Sequence, residues 1–201
     1  MSRLGALSIG CFYACPEQVV RSIAALVKLD PKGDYAIVDP CAGEGDAVLS
    51  FCEHTLGVAK AQAVNLYAAE SEAKRSHKLV LNTRLALPHN GDKVIRGNAF
   101  RVDWGETKAT HKSGGQILWL NPPYAEDPVY VRMEERFLLR FAPTLCPAGL
   151  LIFILPVSAL RASAATLSRH FVSLVAFRFP AEEYATYGQV VVFGYKRPTT
   201  L

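Results

Sequence analysis

The sequence predicts an α/β fold: a mostly parallel seven-stranded sheet, helices on both faces, and a C-terminal antiparallel hairpin. Three observations predict it. Short apolar runs alternate with stretches whose apolar residues recur at helical spacing, the pattern of βαβ units. Half of the 201 residues are hydrophobic, enough for one core and too few for two full ones. The last two apolar runs are joined by residues 180–188, too short a link for a right-handed crossover helix. The chain reads as a single domain over 1–201.

Each element follows in order. Pro16 opens PEQVVRSIAALVKL, where positions 19, 20, 23, 26 and 27 are apolar, a helix with proline in its first turn. YAIVD (35–39) is a short buried strand. DAVLSFCEHTL is the next helix, with Asp46 as cap or first-turn acid. AVNLYAAE (63–70) is the second strand, and Ser71 is placed to cap the helix SEAKRSHKLVLNTRL. KVIRG and ILWLN (117–121) are strands three and four. In VYVRMEERFLLRFA, Val129, Met133, Phe137 and Phe141 fall four apart, which predicts a helix ended by Pro143, Pro147 and Gly149. LLIFILP (150–156) is the fifth strand and SALRASAATLSRHF a helix. VSLVAFRFP (172–180) and QVVVFGYKR (189–197) form the hairpin.

Composition excludes several classes. Charged residues make up 20% of an ordered-looking chain without low-complexity runs, which argues against disorder. No apolar stretch is long enough to span a bilayer, and MSRLGALSIGCFYACPEQ lacks a signal-peptide layout, so the expected location is cytoplasmic, away from membranes. The five cysteines (11, 15, 41, 52 and 146) include no CxxC pair, and the histidines are scattered. They read as free thiols rather than a disulfide framework or metal site. Net charge is +4, and residues 74–112 hold nine Lys/Arg against three acids. That stretch suits a polyanionic partner, or an ordinary solvated helix with its loops.

Two segments carry chemistry. In IVDPCAGEGDAVL, Asp39, Gly43 and Gly45 join strand one to a helix. Glycines let the backbone turn sharply beside free helix N–H groups, which fits a nucleotide-like cofactor or a plain tight turn. Val48 stands where a dinucleotide fingerprint wants a small residue, and no phosphate-gripping GxxxxGK[ST] occurs. Glu70 ends strand two, where an acid can accept from both hydroxyls of a ribose; Glu72 is better placed to serve the helix dipole. The second segment is Asn121-Pro122-Pro123-Tyr124, at the C-terminal end of strand four, the edge where open α/β sheets bind ligands. Proline at 122 biases Asn121 toward extended backbone, and the two prolines stiffen the loop. The Asn121 side-chain oxygen and the Pro122 carbonyl are acceptors suited to the two hydrogens of a planar amino group. Tyr124 offers a face on which a base can stack.

With these residues in view, DPCAGEG, Glu70 and NPPY together resemble S-adenosylmethionine-dependent amino-methyltransferases, above all adenine-N6 DNA methyltransferases, over nearly the whole chain. The resemblance implies a Rossmann-like methyltransferase fold, S-adenosylmethionine as cofactor and no metal. It implies catalytic roles for Asn121, Pro122, Pro123 and Tyr124. CFYACPEQVV resembles the segment that closes over methionine, which implicates Tyr13, Cys15 and Pro16; Cys15 stands where threonine is usual. GNAF resembles the adenine-side segment, which implicates Asn98 and Ala99; Asn98 stands where aspartate is usual. Asp39, Cys41, Ala42, Gly43, Gly45, Glu70 and Asn121 complete the implied cofactor set. The loop before the last strand often carries a second aromatic over the target base, here Tyr187, with Tyr184 second; ordinary loop anchoring is the other role open to both. More closely, FYACPEQVV, DPCAGEG, NPPY and FP-x3-Y-x4-QVVVFG look like an uncharacterised methyltransferase-like family of mobile elements.

The implied partner is nucleic acid, DNA ahead of RNA. Similar motifs also serve enzymes that methylate guanine amino groups in ribosomal RNA, and the glutamine of release factors. DNA methyltransferases of this kind usually carry a separate target-recognition region, and none is legible here. The expected alternatives are a fragment of a longer protein, a homodimer, a separate recognition region or subunit, a small or structured substrate, or a DNA-binding subunit that presents DNA to a partner.

Overall fold

The computed structural model describes residues 13–30, 32–90, 93–102, 104, 115–127, 129 and 131–198, except for the side chains at 126, 127, 131, 186 and 187. Cys11 and Phe12 lie outside the described residues, as do Lys108, Lys112 and the three acids Asp92, Asp103 and Glu106 of the basic stretch, and the side chain of Tyr187.

Helix α1 (Glu17–Leu26) precedes β1 (Ala36–Asp39), α2 (Asp46–Leu56), the short α3 (Val58–Ala61), β2 (Asn65–Glu70), α4 (Ala73–Ala86) and β3 (Val94–Arg96). Then come β4 (Gly115–Leu120), the two-residue strands β5 (Glu126–Asp127) and β6 (Val131–Arg132), and α5 (Met133–Phe141). The chain closes with β7 (Leu145–Pro156), α6 (Val157–His170), β8 (Phe171–Arg178), α7 (Ala181–Tyr187) and β9 (Gln189–Lys196). The main sheet has seven strands in the order β3-β2-β1-β4-β7-β9-β8. Strands β1 to β4 and β7 pair in parallel, and β9 runs antiparallel to both its neighbours. This is a Rossmann-like methyltransferase fold with its antiparallel C-terminal hairpin. β9 is inserted between β7 and β8, a placement that apolar periodicity cannot encode.

The chain winds from β1 outward to β3, then returns to lay β4 on the other side of β1. The switch point lies between β1 and β4, and a crevice opens outside the carboxyl ends of such strands. Apolar layers cover both faces. On one, Val20 and Ile23 of α1, Phe51 of α2 and Leu79 of α4 pack against Ile37, Leu66 and Trp119. On the other, Leu138 and Phe141 of α5 pack against Val38, Leu118 and Phe153. Both faces being covered explains why the central strands read as continuous apolar runs rather than alternating ones. Truncating one of these buried rings to alanine costs about 3–5 kcal/mol.

Three local expectations are corrected. Ser71 does not cap α4. The chain stays extended through Glu72, whose carboxylate accepts from the N–H groups of Lys74 (3.0 Å) and Arg75 (2.8 Å). The helix predicted from 129 starts only at Met133. Val129 is 79% exposed in a turn between β5 and β6, which pair antiparallel. The Asp127-Pro128 step and the β-branched Val129 and Val131 favour extended backbone there, against the four-residue spacing. Pro147 and Gly149 lie inside β7, which starts at Leu145 and shifts register against β4 between Gly115 and Ile117. The 180–188 link holds the short α7, and the pairing it joins is antiparallel as predicted.

Candidate active site

The glycine turn is stitched to the end of β2. Ala42 N–H donates to the Ala69 carbonyl (3.0 Å), and Gly43 N–H donates to Glu70 Oε2 (3.1 Å). Gly45 has φ of 89°, a left-handed conformation that calls for glycine, and a Cβ there would also meet Leu79 Cδ1 at 2.7 Å. Glu70 is 6% exposed. Its Oε1 also accepts from Glu72 N–H (2.7 Å) and from Arg75 Nη2 (3.3 Å). A carboxylate offers about four lone-pair sites, so roughly one remains for a ligand hydroxyl, not the two that the sequence suggested.

Asp39, at the end of β1, is 2% exposed and accepts from Cys41 N–H at 3.2 Å. Burial pushes its carboxyl up from 3.8 to about 8, with the Glu70 carboxylate adding to the rise. The folded state therefore holds this proton more tightly than the unfolded chain does. The associated stability is full below pH ~4 and is lost as pH rises through the folded value, about 8. Asp39→Asn removes the titration. Its melting temperature is expected to fall less than that of the wild type between pH 5 and pH 9, a comparison that calorimetry at matched ionic strength makes directly.

Two adjoining hollows share Cys41 and Asn121 in their walls. The first, about 200 Å³, brings together Tyr13, Glu70, Asn98, Ala99, Pro122 and Pro123. The second, about 290 Å³, brings together Cys15, Asp39 and Ala42 beside the start of α2. Asn98 folds back on its own segment, its Oδ1 accepting from Phe100 N–H at 2.9 Å. Pro16 lines neither hollow; its carbonyl accepts from Val19 and Val20 and starts α1. Burial pushes the Cys15 thiol up to about 12 and the Cys41 thiol well above its usual range, so both stay protonated and serve as wall rather than nucleophile.

The Asn121 carboxamide is held at both ends. Its Nδ2 donates to the Tyr13 carbonyl (2.9 Å), and its Oδ1 accepts from the Tyr124 hydroxyl (2.8 Å). The Tyr13 and Tyr124 rings stack with centroids 4.9 Å apart, so one face of Tyr124 is already covered. Gln189 Nε2 donates to the Tyr124 oxygen. Burial raises the Tyr124 phenol well above its usual range and keeps it protonated. Tyr184 packs between the apolar layers with the Arg178 guanidinium 5.5 Å over its ring, the geometry of an anchor.

Sequence reasoning gave no role to Arg136 or Gln189, and gave Arg75 only its share of the basic stretch. Arg75 and Arg136 line the first hollow, and Arg136 sits 4.4 Å over the Phe100 ring. A helix-surface arginine carries no sequence signal for this. Within the basic stretch, Lys78 is paired with Glu44 (2.8 Å) and Lys93 donates to the Asn90 carbonyl (2.9 Å). Among the described residues, no group of three metal-ligating side chains is placed to hold an ion, and no helix is long and apolar enough to cross a membrane.

Comparison with solved structures places the fold. A putative class I S-adenosylmethionine-dependent methyltransferase from Listeria monocytogenes superposes with a TM-score of 0.71 at 10% identity, over 92% of this chain and 61% of that one. The methyltransferase subunit of a type I restriction-modification system from Streptococcus thermophilus gives 0.68 at 16% identity, over 94% and 45%. A tRNA (m1A58) methyltransferase from Aquifex aeolicus gives 0.61 at 15% identity, over 94% and 72%. The chain thus spans 61% and 45% of the length of the first two. At these identities the likeness is one of fold. No curated protein matches the sequence. The sequence does match a family description over residues 3–200, nearly its full length, and the chain belongs to that uncharacterised methyltransferase family, DUF6094.

Proposed function

We propose that this protein transfers the methyl group of S-adenosylmethionine to a planar amino nitrogen, the N6 of adenine in nucleic acid, with DNA ahead of RNA. The observation that carries the reading is the Asn121 carboxamide, fixed at both ends in the wall that the two hollows share.

The residues present fit the cofactor. The second hollow adjoins the N-terminal turn of α2, and the first holds Glu70 for a ribose hydroxyl and Asn98 for an adenine edge. Bound there, S-adenosylmethionine supplies a methyl group already activated by its sulfonium. The chain supplies position and fixed dipoles. An adenine amino nitrogen is a poor nucleophile because its lone pair is delocalised into the ring. The Asn121 Oδ1 retains one lone pair beyond the Tyr124 hydroxyl, and the Pro122 carbonyl offers a second acceptor. Together they take the two amino hydrogens and favour a tetrahedral nitrogen. A base in duplex DNA must first leave the stack, and stacking on Tyr124, one face of which Tyr13 now covers, would offset part of that cost. Tyr187, at the last position of α7, is the candidate for the opposite face.

The excess of basic residues over 74–112 supports nucleic acid, and the type I restriction methyltransferase among the fold relatives supports DNA. The test is label transfer from methyl-labelled cofactor to duplex DNA, single-stranded DNA, structured RNA and a protein extract. Label in DNA is expected. Label confined to RNA or to glutamine replaces the substrate class. Cofactor binding without transfer moves the role to a DNA-binding subunit that works with a partner.

A further inference from the structure

We propose that Gln189 is a positioning residue that sets which way the Asn121 carboxamide faces, acting through the Tyr124 hydroxyl. The inference rests on the methyl-transfer reading above and assigns that reaction a residue with no role so far. Gln189 is 2% exposed and is the first residue of β9. Because β9 runs antiparallel, its first residue lies at the carboxyl edge of the parallel strands, opposite Pro156 at the end of β7. That topology brings it to a loop 65 positions earlier in the chain.

The chemistry is directional. A phenol has one hydrogen to donate. Gln189 Nε2 donates to the Tyr124 oxygen, so the phenol hydrogen is left for Asn121 Oδ1, 2.8 Å away. Asn121 Nδ2 then faces the Tyr13 carbonyl at 2.9 Å. A carboxamide turned by 180° would set Oδ1 against the Tyr13 carbonyl oxygen and leave the phenol hydrogen without its acceptor. The donor at 189 and the Tyr13 carbonyl thus hold the polarity of the chain of bonds from its two ends, and with it the placement of an acceptor rather than a donor toward the amino group. Burial holds the Tyr124 phenol protonated, so the relay has a proton to direct throughout the neutral range.

Gln189→Glu tests this with nearly unchanged volume. Burial raises the introduced carboxyl, so the comparison is made at alkaline pH, where the ionised carboxylate only accepts. It takes the phenol hydrogen and sets a phenol lone pair against Asn121 Oδ1, so that only the Tyr13 carbonyl still holds the carboxamide in place. We expect kcat to fall about tenfold or more, the worth of one directed hydrogen bond, with KM for cofactor and nucleic acid nearly unchanged. As pH falls and the carboxyl protonates, it becomes a donor again, so the variant should recover relative to the wild type. Gln189→Met, which buries no charge, should show the loss without the pH-dependent recovery. In a Tyr124→Phe background the relay is already cut, and neither change should lower kcat further.

Wild-type kcat in Gln189→Glu and Gln189→Met overturns the proposal, as does an undiminished loss in the Tyr124→Phe background. If the wild type methylates no acceptor, the methyl-transfer reading itself fails, and the positioning role falls with it. That outcome is distinct from an active wild type matched by its Gln189 variants.

Discussion

Asn121→Ala is expected to lower methyl transfer by about a hundred- to a thousandfold, the usual effect of deleting one preorganised hydrogen-bonding group from a transition-state site. Cofactor binding should survive, because the glycine turn and Glu70 are held by bonds that do not involve this side chain. The loss should appear in kcat rather than in KM, since the acceptor matters most as the amino nitrogen becomes tetrahedral. Asn121→Asp separates orientation from acceptance. It keeps an oxygen toward Tyr124, but sets another against the Tyr13 carbonyl, where Nδ2 now donates at 2.9 Å. An intermediate loss is expected. Single-turnover kinetics at saturating cofactor, with binding measured by calorimetry, give both quantities. Equal turnover by wild type and Asn121→Ala would remove Asn121 from the chemistry.

Glu70→Ala acts on stability as well as binding. One carboxylate accepts from Gly43 N–H, Glu72 N–H and Arg75, and so ties the glycine turn, the start of α4 and the end of β2 together. Removing it takes an acceptor from three donors at a site only 6% exposed. The expected cost is about 3 kcal/mol, in the range for breaking a buried charged pair. The Gly43 turn loosens with it, and cofactor affinity should fall by at least tenfold. Urea unfolding reads the first effect as a lower midpoint at unchanged slope, and cofactor titration under native conditions reads the second. Glu70→Gln keeps the shape and one acceptor oxygen, so it should fall between the two. A midpoint equal to that of the wild type would show that the turn does not depend on this carboxylate.

Much of the architecture was legible because the determinants are local. β1 is bounded by turn residues, and DAVLSFCEHTL became α2 over the same eleven residues, Asp46–Leu56. Asp39, the glycines, Glu70 and Asn121 were legible for the same reason: each sits where a strand gives way to a loop. Misreadings arose where two local signals competed. Ser71 is the better capping residue by type, but the extended step at Glu72 moved the cap one place on. Val129 fits the helical period of α5, yet its β-branched neighbourhood formed a turn between two short strands. What was not legible depends on strand order. Gln189 is a polar residue at the start of an apolar strand, and only the insertion of β9 beside β7 brings it to Tyr124. The bond from Asn121 to the Tyr13 carbonyl joins residues 108 positions apart, and neither side chain announces it.

The most direct test of the account is to identify the methylated product. Unmethylated duplex DNA is incubated with S-adenosylmethionine and either wild-type protein or Asn121→Ala, digested to nucleosides, and resolved by chromatography and mass spectrometry. The account predicts N6-methyladenine with the wild type and a trace of it, or none, with the variant. A different methylated nucleoside, or the same yield from both proteins, would contradict it.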